Sequence, residues 1–215
     1  MSGSSPPQFG RHLFASKEAA IGEVAYKGQY EEALELHIRD LQGRLAPTDP
    51  LELFLKSAVS RSRAFHEATA REIGASNPHA TVALLRQFTE TVVTIIYVAD
   101  HHTYVSAIMN NPRNRREHEP RRKKMGKMVS EVDRRHSQNV GLVYPQMSDG
   151  THFGHLAFWE GFEVKEGGRM SWSSAPRWRS DEDFFGVCDW LLDISAGADW
   201  AMRHFTETCE KSCAG

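Results

Sequence analysis

From Pro78 towards Met109 an apolar residue returns every three or four positions: Val82, Leu85, Phe88, Val92, Ile95, Ile96 and Ala99. That spacing lines one face of an α-helix, and a helix this long needs neighbours to cover the face. It constrains the chain to helix-on-helix packing more tightly than any other feature. The run Val92-Val93-Thr94-Ile95-Ile96 is β-branched and would suit a strand. The period begins well before that run and continues past it, so one long helix is the reading. The greasiest stretch, Thr91–Ala99, has nine residues between Glu90 and Asp100, whereas a bilayer span needs about 20. The Ser/Pro/Gly-rich start lacks the apolar core of a leader. A soluble, cytoplasmic chain without a membrane partner is therefore expected.

Other periodic stretches give that helix its partners. Tyr30, Ala33, Leu34, Ile38 and Leu41 recur at helical spacing between Gln29 and Leu45, and Thr48-Asp49-Pro50 offers a cap before a second helix reaching Gly74. Asn77-Pro78 marks the next turn. Pro112 and Pro120 bracket a charged loop, and further helices are expected over Met125–Asn139, Pro145–Phe158 and Asp181–Cys209. Between Trp159 and Trp178 the pattern shortens: Phe162 and Val164, a Lys165–Gly168 turn, then Met170 and Trp172 predict a hairpin. The expected fold is all-α, a mainly helical bundle with a small β-hairpin insertion near residues 159–178. Residues 1–10 read as a flexible tail and 11–215 as one domain with a basic loop at 111–124. The composition, 40% hydrophobic and 25% charged, is ordinary for a globular chain. Cys188, Cys209 and Cys213 are too few for a disulfide framework and point to a reducing compartment.

Two groups of residues could carry chemistry. Arg86-x-x-x-Glu90 puts an ion pair on one face of the long helix beside its apolar stripe. It is either a partly buried, mutually compensated pair or a surface pair of little consequence. The second group is Tyr144-Pro145-Gln146-Met147-Ser148-Asp149-Gly150-Thr151-His152, followed by Gly154-His155. In a helix Ser148, His152 and His155 fall about one turn apart, and imidazole serves as acid or base near neutral pH. The competing reading is a capped helix start with histidines in helix–helix packing.

Arg-x-x-x-Glu in one long helix, then an aromatic residue and Ser-x-x-x-His opening a later one, resembles a group of bacterial and phage helical proteins near the HEPN-like superfamily. The resemblance covers about residues 50–160. It implies a helical fold that dimerises and a metal-independent ribonuclease chemistry, in which an Arg-(Asn/Asp/His)-x(3–5)-His motif holds and cleaves a phosphodiester. One literal match to that motif occurs, Arg113-Asn114-Arg115-Arg116-Glu117-His118, although it lies between two prolines and not at a helix start. Arg113 would bind the phosphate and His118 would transfer the proton. Arg86, Glu90, Ser148 and His152 are the alternative catalytic set.

Charge separates along the chain. From Arg113 to Arg135 ten Lys/Arg stand against four acids, a segment of +6 in a chain of net −2, so the remainder totals −8. Arg115, Arg116, Arg121, Arg122, Lys123, Lys124 and Lys127 are the residues expected to meet a phosphate backbone. Neutralisation by the acidic stretch from Asp181 to Asp199 is the competing reading. No aromatic interleaves them, which disfavours a stacking platform in that segment. Histidines are scattered (His37, His66, His79, His101, His102, His152 and His155), but neither Glu-x-x-His nor His-Glu-x-x-His occurs. No metal and no cofactor is expected. Asp100-His101-His102 spells a phosphoesterase signature, but that signature needs earlier aspartate motifs which the sequence lacks. Nor is there a P-loop, a dinucleotide-binding glycine motif or a nucleophile elbow. Three functions follow: an RNA-binding or RNA-cleaving helical effector, a non-enzymatic protein-interaction module whose polar cluster fixes helix register, or, behind these, a small-molecule or metal-binding helical bundle.

Overall fold

The computed structural model describes residues 12–25, 36, 39, 49–110, 122–136, 139–152, 162–164, 166–175 and 177–213. Among them the architecture is helical, as the periodicities predict. In chain order the elements are α1 (Lys17–Val24), α2 (Pro50–Gly74), α3 (Pro78–Asp100), a 3₁₀ turn (His102–Tyr104), α4 (Val105–Met109), α5 (Met125–His136), α6 (Val140–Thr151), the strands β1 (Phe162–Val164) and β2 (Met170–Trp172), and α7 (Asp181–Cys213). The expected helix over 29–45, the tail over 1–10 and most of the loop over 111–124 lie outside the described residues.

α3 occupies the middle of the bundle, with α7, α2 and α6 packed around it. Its start is fixed by Asn77, whose side chain accepts from Ala80 N–H, followed by Pro78 where a missing N–H costs nothing. The β-branched run stays helical because Val92, Val93, Ile95 and Ile96 are all buried against neighbours. Burial of these side chains outweighs a weak local preference for strand. Thr89, Thr91 and Thr94 turn their hydroxyls back onto the carbonyls four residues earlier, so none is left unsatisfied. By length and composition α3 would also cross a bilayer, yet 61% of its most apolar window is buried within the fold.

Several helix ends differ from the sequence reading: α6 closes at Thr151 and not at Phe158, α7 runs on to Cys213, and two further ends have a visible cause. The long helix stops at Asp100 and not near Met109. His101 leaves helical geometry (φ −141°, ψ 69°), its ring stacked on Tyr97 at 4.4 Å and its Nδ1 donating to the Tyr97 carbonyl at 3.1 Å. The apolar pattern carries on past this break because α4 buries Val105 and Ala107 on its own account. α6 begins at Val140, five residues before Pro145. Asp133 of α5 makes that earlier start possible: its Oδ1 and Oδ2 accept the Val140 and Gly141 N–H groups at 2.9 and 2.6 Å. A carboxylate there satisfies the orphan donors of the first turn and faces the positive end of the helix. α1, absent from the sequence reading, is capped by Ser16, which accepts from Ala19 N–H.

The expected hairpin forms, and its register sets Phe162 opposite Trp172, Glu163 opposite Ser171 and Val164 opposite Met170. Gly167 and Gly168, at φ 78° and 74°, supply the left-handed turn between the strands. Met170 and Trp172 face outward at 53% and 68% exposure. Trp178 instead packs edge-on against Phe184 of α7 at 5.8 Å.

Candidate functional site

Arg86 and Glu90 sit one turn apart on α3, and the i,i+4 spacing brings them together: Arg86 Nε donates to Glu90 Oε1 at 3.1 Å. Their side chains are 15% and 20% exposed, so the pair is the half-buried alternative and not the surface one. α6 completes it. The Tyr144 phenol donates to the same Glu90 oxygen at 2.8 Å, and the Arg86 guanidinium lies 5.8 Å from the Tyr144 ring centre. Burial pushes the Tyr144 phenol above its usual pKa of 10.0; Glu90 adds to the rise and Arg86 opposes it. Arg86 Nη1 then reaches His152 Nε2 at 2.5 Å. A guanidinium only donates, so Nε2 is the acceptor and the ring proton sits on Nδ1. Ser148 contributes backbone: its carbonyl accepts the His152 N–H at 3.1 Å and closes the helix end.

Gly150 sets the approach of α6 to α3. A Cβ built there would stand 2.9 Å from Val82 Cγ1, so only glycine lets the two helices meet at this depth one turn before Arg86. A cleft of about 820 Å³ starts at the same place: Val82, Gln146 and Gly150 form one wall. Arg177, Trp178, Arg179 and Trp190 also line it. Glu182, Asp183 and Asp189 line it too, so its charge is mixed; the guanidinium and indole groups suit phosphate and a flat ring, and the carboxylates oppose an anion. No sequence motif marks Arg177, Trp178, Arg179 and Trp190 for binding, because each lies far from the Arg86 motif along the chain.

The basic segment divides. Arg113, Arg115, Arg116, His118 and Arg121 lie outside the described residues, as does His155. Arg122 donates to the Ala107 and Ile108 carbonyls at 3.3 and 2.8 Å, where α4 ends. Lys123 is bound by Glu131 and, at 3.2 Å, by the Tyr97 hydroxyl. Lys124 and Lys127 are exposed. Among the described residues, the acidic stretch on α7 pairs with other groups: Asp181 with Lys17 at 2.6 Å and Asp199 with Arg203 at 2.5 Å, while Asp189 and Asp193 hold His12.

The histidines also divide. His66 is a core residue, its ring nitrogens bonded to Ser195 Oγ at 2.7 Å and the Val24 carbonyl at 2.9 Å. Burial lowers the His102 pKa, and its Nε2 lies 3.2 Å from Thr208 Oγ1. A second polar cluster gathers at the far end of α3, which the sequence does not announce. His136 Nε2 donates to Asp100 Oδ2 and His204 Nε2 to Asp100 Oδ1, each at 2.9 Å. Burial opposes the charge on Asp100, but hydrogen bonds from His204 and His136 outweigh it and hold the carboxyl down at about 2.

No family model, curated protein or solved structure matches the chain.

Proposed function

We propose that this chain is an HEPN-like helical protein that binds RNA and cleaves it without a metal, with Arg86 and His152 at the reacting phosphate. The observation that carries the reading is the 2.5 Å approach of Arg86 Nη1 to His152 Nε2 beside an Arg- and Trp-lined cleft. A phosphodiester oxygen entering the site takes the guanidinium proton donor from His152. The freed Nε2 lone pair then accepts the proton of the attacking 2′-hydroxyl. As the bond from the 2′-oxygen to phosphorus forms, the bond to the 5′-oxygen breaks, and that oxygen takes a proton from water. A 2′,3′-cyclic phosphate and a 5′-hydroxyl end result, with Arg86 stabilising the charge on the non-bridging phosphate oxygens. Glu90 and Tyr144 keep the guanidinium aimed. Exposed Lys124 and Lys127 supply nonspecific attraction. The other catalytic pair, Arg113 and His118, belongs to the same proposal through the motif it matches.

Purified protein should cleave single-stranded RNA in the presence of EDTA. His152→Ala and Arg86→Ala should each slow cleavage by about 100-fold or more; His118→Ala does so instead if the motif in the basic loop is the active one. Loss of all cleavage in EDTA, or full activity in both histidine variants, overturns the reading. The interaction-module alternative has one supporting observation: Glu90 Oε1 is already engaged by both Arg86 and Tyr144, as in a network that fixes helix register. A protein that binds no RNA and loses thermal stability in Arg86→Ala supports that alternative.

A further inference from the structure

Asp100 is the last residue of α3 and His136 the last of α5, so two helix C-termini meet at one carboxylate. The unpaired carbonyls of a helix end amount to about half a negative charge. Two such ends around a carboxylate that is only 9% exposed make a negative focus that calls for a cation. The nearby cations are largely committed elsewhere. Lys123 is held by Glu131 and Tyr97. Arg135 is shared among Glu131 at 3.2 Å, His101 Nε2 at 3.4 Å and, more distantly, Asp100 Oδ2 at 3.5 Å.

What does face the carboxylate is a pair of imidazoles. His136 Nε2, His204 Nε2 and an Asp100 oxygen all lie within 4.8 Å of one another. Zinc bonds of the usual length place tetrahedral ligand atoms about 3.4 Å apart, so small side-chain rotations admit an ion between these three. The rings are held for the purpose by Trp200, itself 7% exposed. Its indole stacks on His204 (5.2 Å, 6°) and stands edge-on to His136 (5.3 Å, 65°). Side-chain exposures of 16% for His136 and 20% for His204 leave one side open to solvent.

We propose that Asp100, His136 and His204 form a binding site for a divalent first-row transition ion of the zinc or iron(II) class. Two imidazoles and one carboxylate suit such ions and disfavour magnesium and calcium, which prefer all-oxygen shells. Three protein ligands leave a coordination position for water, the arrangement of reactive rather than purely structural sites. The ten-residue step along α3 from Glu90 to Asp100 separates this site from the Arg86 cluster by about 15 Å of helix. The ion therefore does not touch the proposed phosphate site, and either can exist without the other.

Untagged, chelator-stripped full-length protein titrated with cobalt(II) tests the site. The expected result is one ion per chain, visible d–d absorption, and quenching of tryptophan fluorescence that Trp200→Phe largely removes. Zinc should displace the cobalt, and millimolar magnesium or calcium should not. Asp100→Asn, His136→Ala and His204→Ala should each weaken binding more than about 100-fold, since even supporting residues of such sites contribute 10–100-fold. If a variant fails the circular-dichroism check for folding, pulsed EPR of the copper(II)-loaded wild type decides, with two coordinated imidazoles expected. No cobalt binding tighter than about 10 μM, unchanged affinity in folded variants, or fewer than two coordinated imidazoles overturns the proposal.

Discussion

At the scale of single residues, Tyr144 shows how burial and one hydrogen bond set a protonation state. Its phenol must stay protonated to donate to Glu90, and burial, reinforced by Glu90, holds the proton beyond the usual 10.0. A pKa raised on folding contributes stability that is fully present below the unfolded value of 10.0 and is lost as pH climbs through the folded value. In an alkaline titration followed at 295 nm, the wild-type minus Tyr144→Phe difference should therefore show a tyrosinate step whose midpoint lies above pH 10.0. Glu90→Gln should move that step down but not abolish the rise, because burial is the larger cause. A Tyr144 that ionises at its ordinary pKa would mean that the phenol is solvated and that its bond to Glu90 is not maintained in solution.

At the scale of elements, the sequence is most legible where one helix speaks for itself. The Arg86–Glu90 pair, the cap at Asp49, the break at Asn77-Pro78 and the presence of the hairpin all follow from spacings of five residues or fewer, or from a local turn. The sequence is least legible where elements from distant parts of the chain meet. His136 and His204 lie 36 and 104 residues from Asp100, so no local motif marks their convergence. The start of α6 is hidden for a similar reason. Pro145 looks like a first-turn residue, but the carboxylate that caps the helix sits on α5. Gly150 belongs to this class: its role lies in the distance to Val82 and not in its own helix. Gly150→Ala gains helix propensity of up to about 1 kcal/mol but drives a methyl into a stiff, β-branched neighbour at 2.9 Å. Overpacking of this kind costs about 1–3 kcal/mol, so the expected net effect is a loss of about 1 kcal/mol in chemical denaturation. Gly186→Ala, where nothing lies within 4 Å of the added methyl, should stabilise by up to about 1 kcal/mol. Equal effects at the two positions would show that α3 and α6 do not touch at Gly150.

At the scale of the whole molecule, a net charge of −2 hides a division of labour. Among the described residues, Asp181 and Asp189 of α7 are engaged by the N-terminal segment, and Asp199 pairs with Arg203 on α7 itself. Within the basic segment the described cations serve two different ends. Arg122 and Lys123 hold the end of α4 and the junction of α3 with α5, whereas Lys124 and Lys127 point to solvent. Lys123→Ala should therefore lower the melting temperature. Lys124→Ala/Lys127→Ala should leave it unchanged while weakening RNA binding. If both lysines meet phosphates, the slope of log K against log salt for single-stranded RNA should fall by about 1.4, at about 0.7 for each phosphate that a lysine no longer neutralises. An unchanged slope would remove this face from the RNA path and leave recognition to the cleft lined by Arg177 and Arg179. A Lys123→Ala variant that melts like the wild type would show instead that its pairing with Glu131 and Tyr97 is too solvated to hold α5 against α3, and the division between structural and binding cations would then fail at that residue.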